Sequence, residues 1–222
     1  MKLSPMLARA YQGQPPEGWL VSEKLDGVRA VWDGARLWSR NGMAFAAPEW
    51  FTAQLPAGVV LDGELFMGRG RFQAAVGAVR KKVPVDGEWS RLRFCVFDAP
   101  EIEGGFEERL AAAAAALGEC AVASVVPHRV CQGQEDLDGF FAEVCSAGGE
   151  GVMLRAADRR LAVDLGADMA INEANLTGAM LDKPPLLVPG TAGQRLLGPP
   201  LPPWVQVMLK MIRQRFMMCS AE

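Results

Sequence analysis

The run Lys24-Leu25-Asp26-Gly27-Val28-Arg29 sets an amine, a carboxylate and a guanidinium around one glycine, just after the apolar stretch Trp19-Leu20-Val21. A lysine in that setting is either a surface charge or a nucleophile held beside a phosphate. The second role carries a cost. With a reference pKa near 10.4, only about one lysine in 2,500 is neutral at pH 7, equivalent to roughly 4.6 kcal/mol. Partial desolvation or a neighbouring cation lowers that pKa and removes much of the cost. Arg29 and a divalent ion would both act in this direction. Gly27 would let the backbone approach a phosphate closely, and Asp26 could orient Lys24 or help hold a metal.

Further groups recur at the ends of strand-like runs. Ser39-Arg40-Asn41-Gly42 presents an arginine at a turn, and Asp62-Gly63-Glu64-Leu65 puts two acids around a glycine. Phe94-Cys95-Val96-Phe97-Asp98 ends an apolar run with an aromatic ring and a carboxylate, and Gly148-Gly149-Glu150-Gly151 places an acid among glycines. Carboxylates beside glycines at strand edges suit an open oxygen site for Mg²⁺, which keeps water and substrate phosphate oxygens as ligands. The single histidine, His128, excludes a multi-histidine metal site and weakens any Ser-His-Asp arrangement. Five cysteines without a CxxC pair argue against zinc knuckles and redox motifs. Carboxylates and lysine must carry the chemistry.

These residues need a scaffold. The first 155 residues read as short strands broken by turns, with a few helices. Segments 28–32 and 36–39 flank Asp33-Gly34, a hairpin signal. Residues 48–54 look like a short helix, 58–67 like strand, turn, strand, and 71–79 like a helix. Residues 92–97 read as a buried strand, 105–117 as an alanine-rich helix, and 121–126 as a strand. A helix over 135–147 has Leu137, Phe140, Phe141 and Val144 on one face, and 151–154 is a last strand. The irregular mixture predicts α+β with antiparallel sheets. Beyond Arg155 the pattern changes: 183–203 is rich in Pro, Gly and Leu and reads as linker, and 204–218 reads as a basic amphipathic helix. The domain expectation is therefore a core over 1–155 and a diverged or truncated segment over 156–222.

The ordered set Glu23-Lys24-Leu25-Asp26-Gly27-Val28-Arg29, Ser39-Arg40-Asn41-Gly42, Asp62-Gly63-Glu64-Leu65, Phe97-Asp98 and Glu150-Gly151-Val152-Met153 resembles motifs I, Ia, III, IIIa and IV of the covalent nucleotidyltransferases. Within that superfamily it is most similar to the small bacterial ATP-dependent DNA ligases, over about residues 5–155. The resemblance implies an ATP-grasp-like adenylation domain of mixed antiparallel sheets with flanking helices. It also implies that Lys24 attacks the α-phosphate of ATP and carries AMP as a phosphoramidate. AMP would pass to a 5′-phosphate in nicked double-stranded DNA, and a 3′-hydroxyl would then seal the nick. By the same resemblance Glu23 would read the adenine and Phe97 would stack on it. Arg29, Arg40 and Glu64 would contact ribose or phosphate. Glu150, with Asp26, would serve Mg²⁺, for which Mn²⁺ could substitute.

Arg69, Arg71, Arg80, Lys81 and Lys82 form a basic cluster suited to a DNA backbone, in contrast to the net charge of −3. The family continues with a two-lysine strand and an oligonucleotide-binding barrel. No barrel is evident here, and no lysine lies between Arg155 and Lys183, which leaves Lys210 as the candidate. Alternative readings are an RNA ligase, a capping-type guanylyltransferase, or a catalytically impaired nucleic-acid-binding remnant. The expected state is a monomer with no membrane association. No signal peptide is visible, so the expected location is the cytoplasm, or the periplasm if a leader has been removed.

Overall fold

The computed structural model describes residues 8–11, 13–156 and 168–172. Two five-stranded sheets face each other. Numbered in chain order, the strands of the first run β1 (Arg9–Ala10), β10 (Asp168–Asn172), β9 (Gly151–Arg155), β2 (Leu20–Lys24) and β8 (Arg129–Val130) across the sheet. The second runs β4 (Leu37–Ser39), β3 (Val28–Trp32), β5 (Leu61–Phe66), β6 (Arg93–Asp98) and β7 (Ala123–Val125). Pairing is antiparallel except for β1 with β10 and β6 with β7. Among the described residues neither sheet closes into a barrel, and no helix is long and apolar enough to cross a membrane.

Each sheet has its own core. In the first, Val21, Val152 and Leu154 pack against Leu137, Phe141 and Val144 of helix α5 (Gln134–Ser146). The second packs Ala30, Trp32, Leu61, Leu65, Phe94 and Val96 against four helices. These are α1 (Glu49–Thr52), α2 (Phe72–Val79), α3 (Asp86–Trp89) and α4 (Phe106–Leu117). Phe51 and Trp89, fully buried edge to face at 5.0 Å, fill the space between α1 and α3.

Strand periodicity sets what faces the cleft. Side chains alternate along a strand, so with Val21 turned toward α5, Ser22 and Lys24 point the other way. The register pairs Ser22 with Met153 and Leu20 with Arg155, which puts Met153 and Arg155 on the Lys24 face as well. Lys24 itself lies opposite Gly151, where no side chain competes for space.

The expected hairpin forms with β3 and β4, closed by the Asp33 N–H donating to the Arg36 carbonyl at 3.1 Å. Gly34 takes the positive φ of 92° that the turn requires. The segment 58–67 differs from expectation. Its residues Leu61–Phe66 form one continuous strand, with Gly63 inside it and no turn there. A Cβ on Gly63 would lie 2.6 Å from the Cys95 carbonyl oxygen and 2.8 Å from the Phe94 ring. The glycine therefore marks a close approach to β6 at a register shift, the other common reason for glycine in a strand. Strands β1, β2, β8 and β10 and helix α3 are not among the expected elements, and β2 shows in the sequence only as an apolar stretch before Lys24. The first sheet also takes in β10 from beyond Arg155, where the sequence placed the edge of the core. The linker and helix expected over 183–218, with Lys210, lie outside the described residues.

Two of the features that join the sheets bear on the cleft. The chain crosses from β2 to β3 through residues 25–27, and one buried carboxylate spans the gap. Asp98, on β6, accepts from Arg109 Nε on α4 at 2.7 Å and from Arg155 Nη1 on β9 at 3.0 Å. Removing one partner of a buried ion pair costs about 3–5 kcal/mol, because the other charges stay buried without compensation. Asp98→Asn is therefore expected to lower the unfolding free energy by about 3 kcal/mol or more, read from urea unfolding. An unchanged midpoint would show that the clasp does not hold the sheets.

Candidate active site

Between the sheets lies a cavity of about 340 Å³. Seven charged side chains line it: Glu23 and Lys24 from β2, Asp26 from the crossing loop, Arg29 from β3, Glu64 from β5, Glu150 just before β9 and Arg155 from β9. Further along the strands the lining becomes Phe97, Val126, His128, Met153 and Leu154, mostly apolar and aromatic. The Lys24 end is thus strongly charged, and the other offers flat surfaces together with the Arg155 cation.

Lys24 Nζ donates to Glu150 Oε1. Burial lowers the Lys24 pKa, against the opposing pull of the Asp26 and Glu64 carboxylates. Arg29 is fixed by two bonds to Asp62, Nε to Oδ1 at 3.0 Å and Nη2 to Oδ2 at 2.6 Å. Its guanidinium carbon lies 5.1 Å from the centroid of the Phe97 ring. Burial pushes the Asp62 carboxyl up while Arg29 pulls it down. Glu64, paired across the sheet with Arg29, is pushed up to about 8, first by burial and then by the nearby acids Asp62 and Asp26. Arg29 and Lys24 act against that shift.

Gly27 has a steric reason for its identity. A Cβ there would meet the Leu65 carbonyl oxygen at 2.6 Å and Glu64 Cγ at 2.8 Å. The crossing loop rests on β5, so only a glycine lets Lys24 and Glu64 share one cavity. The sequence suggested access for a phosphate; the nearest constraint is the backbone of β5.

Not every expected site residue comes to this cavity. Arg40 lines a second one, of about 760 Å³, with Met43, Phe72 and Arg80. Gly27, Arg29 and Glu64 border both. Glu23 reaches the rim of the first cavity, but its carboxylate takes two bonds from Arg69, Nε at 2.7 Å and Nη2 at 2.8 Å. Arg69 also donates to the Ala147 carbonyl at 3.3 Å, so it bridges the two sheets and the end of α5. Within the basic cluster, Lys81 pairs with Glu88 at 2.6 Å, and Arg71, Arg80 and Lys82 are exposed.

Lining residues that were not among the expected ones include Ser22, His128, Met153 and Arg155. Period-two alternation on β9 from Gly151 would have put Met153 and Arg155 on one face. No local pattern singles out His128. Among the described residues no group of three or more His, Cys, Asp or Glu side chains could hold a metal ion. Mg²⁺ does not need such a cage when a substrate brings phosphate oxygens, since one or two carboxylates then suffice. Glu150 and Asp26 fit that demand.

No family model matches the chain. A DNA ligase of Haemophilus influenzae is 38% identical over 152 residues, which span 68% of this chain and 56% of that protein. The chain thus spans just over half the length of this curated relative. A solved structure from a study of DNA binding with a minimal scaffold by Lig E DNA ligases is 31% identical, with a TM-score of 0.70. The match covers 76% of this chain and 68% of that one. The adenylate form of a Chlorella virus DNA ligase superposes with a TM-score of 0.61 at 20% identity, over 78% of this chain and 68% of that one. At that identity the likeness bears on the fold alone.

The Glu64 environment makes a pH prediction. Its folded pKa of about 8 exceeds the ordinary 4.5, so the folded state binds this proton more tightly than the unfolded state. The contribution is complete below about pH 4.5 and is lost as the pH rises through about 8. Urea midpoints of the wild type should fall across that interval, and Glu64→Gln should flatten the fall. An identical slope in both proteins would rule out this assignment.

Proposed function

The chain belongs to the DNA ligase family, and from that premise we propose that it is an ATP-dependent nick-sealing enzyme with Lys24 as its covalent carrier of AMP. The observation that carries this is the placement of Lys24: at a strand end, inside a cavity, facing a glycine, with a pKa lowered by burial.

In the first step the neutral Lys24 Nζ attacks the α-phosphorus of ATP. A P–N bond forms, the bond to the bridging oxygen breaks, and pyrophosphate leaves. The amine must shed its proton beforehand, and burial lowers the cost of that loss. In the second step a 5′-phosphate oxygen of nicked DNA attacks the same phosphorus and Lys24 leaves as the amine. In the third, the 3′-hydroxyl attacks the 5′-phosphorus and AMP departs. The protein mainly positions groups and neutralises developing charge.

Phe97 offers a face to the adenine, and Arg29, held by Asp62, presents a fixed positive charge beside it. Glu64 lies where ribose or phosphate would meet the crossing loop. Glu150 and Asp26 would hold Mg²⁺ together with phosphate oxygens, and the ion would offset the negative charge that opposes attack. Glu23 is assigned to the base side of the site, with Arg69 fixing its carboxylate.

The second cavity suits the DNA end, because it adjoins the first through Arg29 and Glu64 and carries Arg40 and Arg80. Exposed Arg71 and Lys82, with Lys81, continue the positive surface on which a phosphate backbone would lie. Such contacts are independent of sequence and weaken with salt. Residues 1–155, with strand β10 added to their first sheet, are assigned to the adenylation core.

The test is incubation with α-labelled ATP or GTP, followed by denaturing electrophoresis. Acid-labile label from ATP is expected on the wild type and none on Lys24→Ala, and a singly nicked DNA duplex should be sealed. Label retained by Lys24→Ala would refute the nucleophile. Label from GTP alone would point to a guanylyltransferase, and sealing of nicked RNA alone to an RNA ligase.

A further inference from the structure

The mechanism above leaves His128 without a task, although it lines the cavity at the end that also holds Arg155. The geometry gives it one. We propose that His128 reads the purine base, its Nε2 accepting a hydrogen bond from an exocyclic amine at the purine 6-position. This rests on the nucleotide-binding reading of the same cavity.

The tautomer follows from a single contact. His128 Nδ1 lies 2.7 Å from the Val126 carbonyl oxygen. A carbonyl only accepts, so Nδ1 carries the proton, and in a neutral imidazole the other nitrogen is then a bare acceptor. The carbonyl is itself well fixed, because the Val126 N–H donates to the Val96 carbonyl on β6 at 2.7 Å. The ring is held edge to face against Phe106, with centroids 5.2 Å apart at 73°.

The charge state agrees. Burial, assisted by the Arg155 cation, lowers the His128 pKa to about 4, against the opposing Val126 bond and the Asp98 carboxylate. Near neutral pH the ring is uncharged and Nε2 keeps its lone pair. Among the described residues nothing donates to that atom. With Nδ1 turned back on the backbone, the opposite edge of the ring is left to face the cavity. Nearby are Phe97, Val126 and Met153, surfaces suited to the flat body of a base, with the Arg155 cation beside them. Lys24, and with it the α-phosphate, lies toward the charged end.

An acceptor fixed in this way discriminates by chemistry. Adenine offers an amine at position 6, whereas guanine offers a carbonyl, which would set two acceptors against each other. A purine with only hydrogen at position 6 would lose the bond without the repulsion. For a partly accessible site one hydrogen bond is worth about 1.4 kcal/mol, or about tenfold in affinity.

The experiment measures equilibrium binding of ATP, GTP and purine riboside triphosphate in EDTA, where nucleotidyl transfer does not intervene. The wild type should bind ATP about tenfold more tightly than purine riboside triphosphate. His128→Phe keeps the aromatic contact with Phe106 but has no acceptor, and should bring the two affinities close together. His128→Gln, with an amide oxygen in reach, should restore part of the preference. Circular dichroism checks that both variants fold. Undiminished preference for ATP in folded His128→Phe overturns the inference, whatever the labelling assay shows. A base preference that depends on His128, in a protein that forms no lysyl adenylate, would uphold it while the catalytic reading fails. Absence of nucleotide binding by the wild type would overturn both.

Discussion

The cleft exists because one buried carboxylate holds two sheets at a fixed spacing. Asp98 sits at the end of β6 and receives Arg109 from α4 and Arg155 from β9. All three are strongly buried, so the charges have little water to fall back on. Such an arrangement stabilises less than its Coulomb energy suggests, since desolvation offsets much of the attraction. Its value is geometric. The separation of Lys24 and Met153 on one wall from Phe97 and Glu64 on the other depends on it. Arg155 also lies 4.1 Å from the centroid of the Phe106 ring, the same ring that His128 abuts. The clasp is thereby joined to the base end of the cavity.

At the other end the electrostatics are crowded on purpose. Asp26, Asp62, Glu64 and Glu150 surround Lys24 and Arg29, and the resulting pKa shifts run in opposing directions. Burial lowers Lys24 while Asp26 and Glu64 raise it, and burial, with Asp62 and Asp26, drives Glu64 up to about 8. A divalent cation beside these carboxylates would change this balance, since added positive charge favours ionised carboxylates and a neutral amine. A cavity poised in this way is suited to a lysine that must become a nucleophile only when its substrate is present.

Much of this was legible in the sequence because the informative signals are local. The lysine, aspartate, glycine and arginine in and beside the crossing loop lie within six residues, and the helix over Gln134–Ser146 shows its buried face by spacing alone. Errors arose where one residue type serves two purposes. Gly63 looked like a turn and proved to be a close approach between strands. The pairings that organise the site join residues far apart in the chain. Arg69 meets Glu23 across 46 residues and Arg155 meets Asp98 across 57, and no pattern within a single segment encodes either. His128 stayed hidden for a related reason: its role depends on a carbonyl and a ring that the fold brings to it.

The central claim is that Lys24 becomes covalently bonded to AMP. It is tested most directly by incubating the protein with ATP and Mg²⁺, cleaving it at alkaline pH and mapping the peptides by mass spectrometry. The account predicts one adenylyl group, on the peptide containing Lys24, that is lost on brief acid treatment. An adenylyl group on a different residue, or none on any peptide under conditions where nucleotide binds, would contradict it.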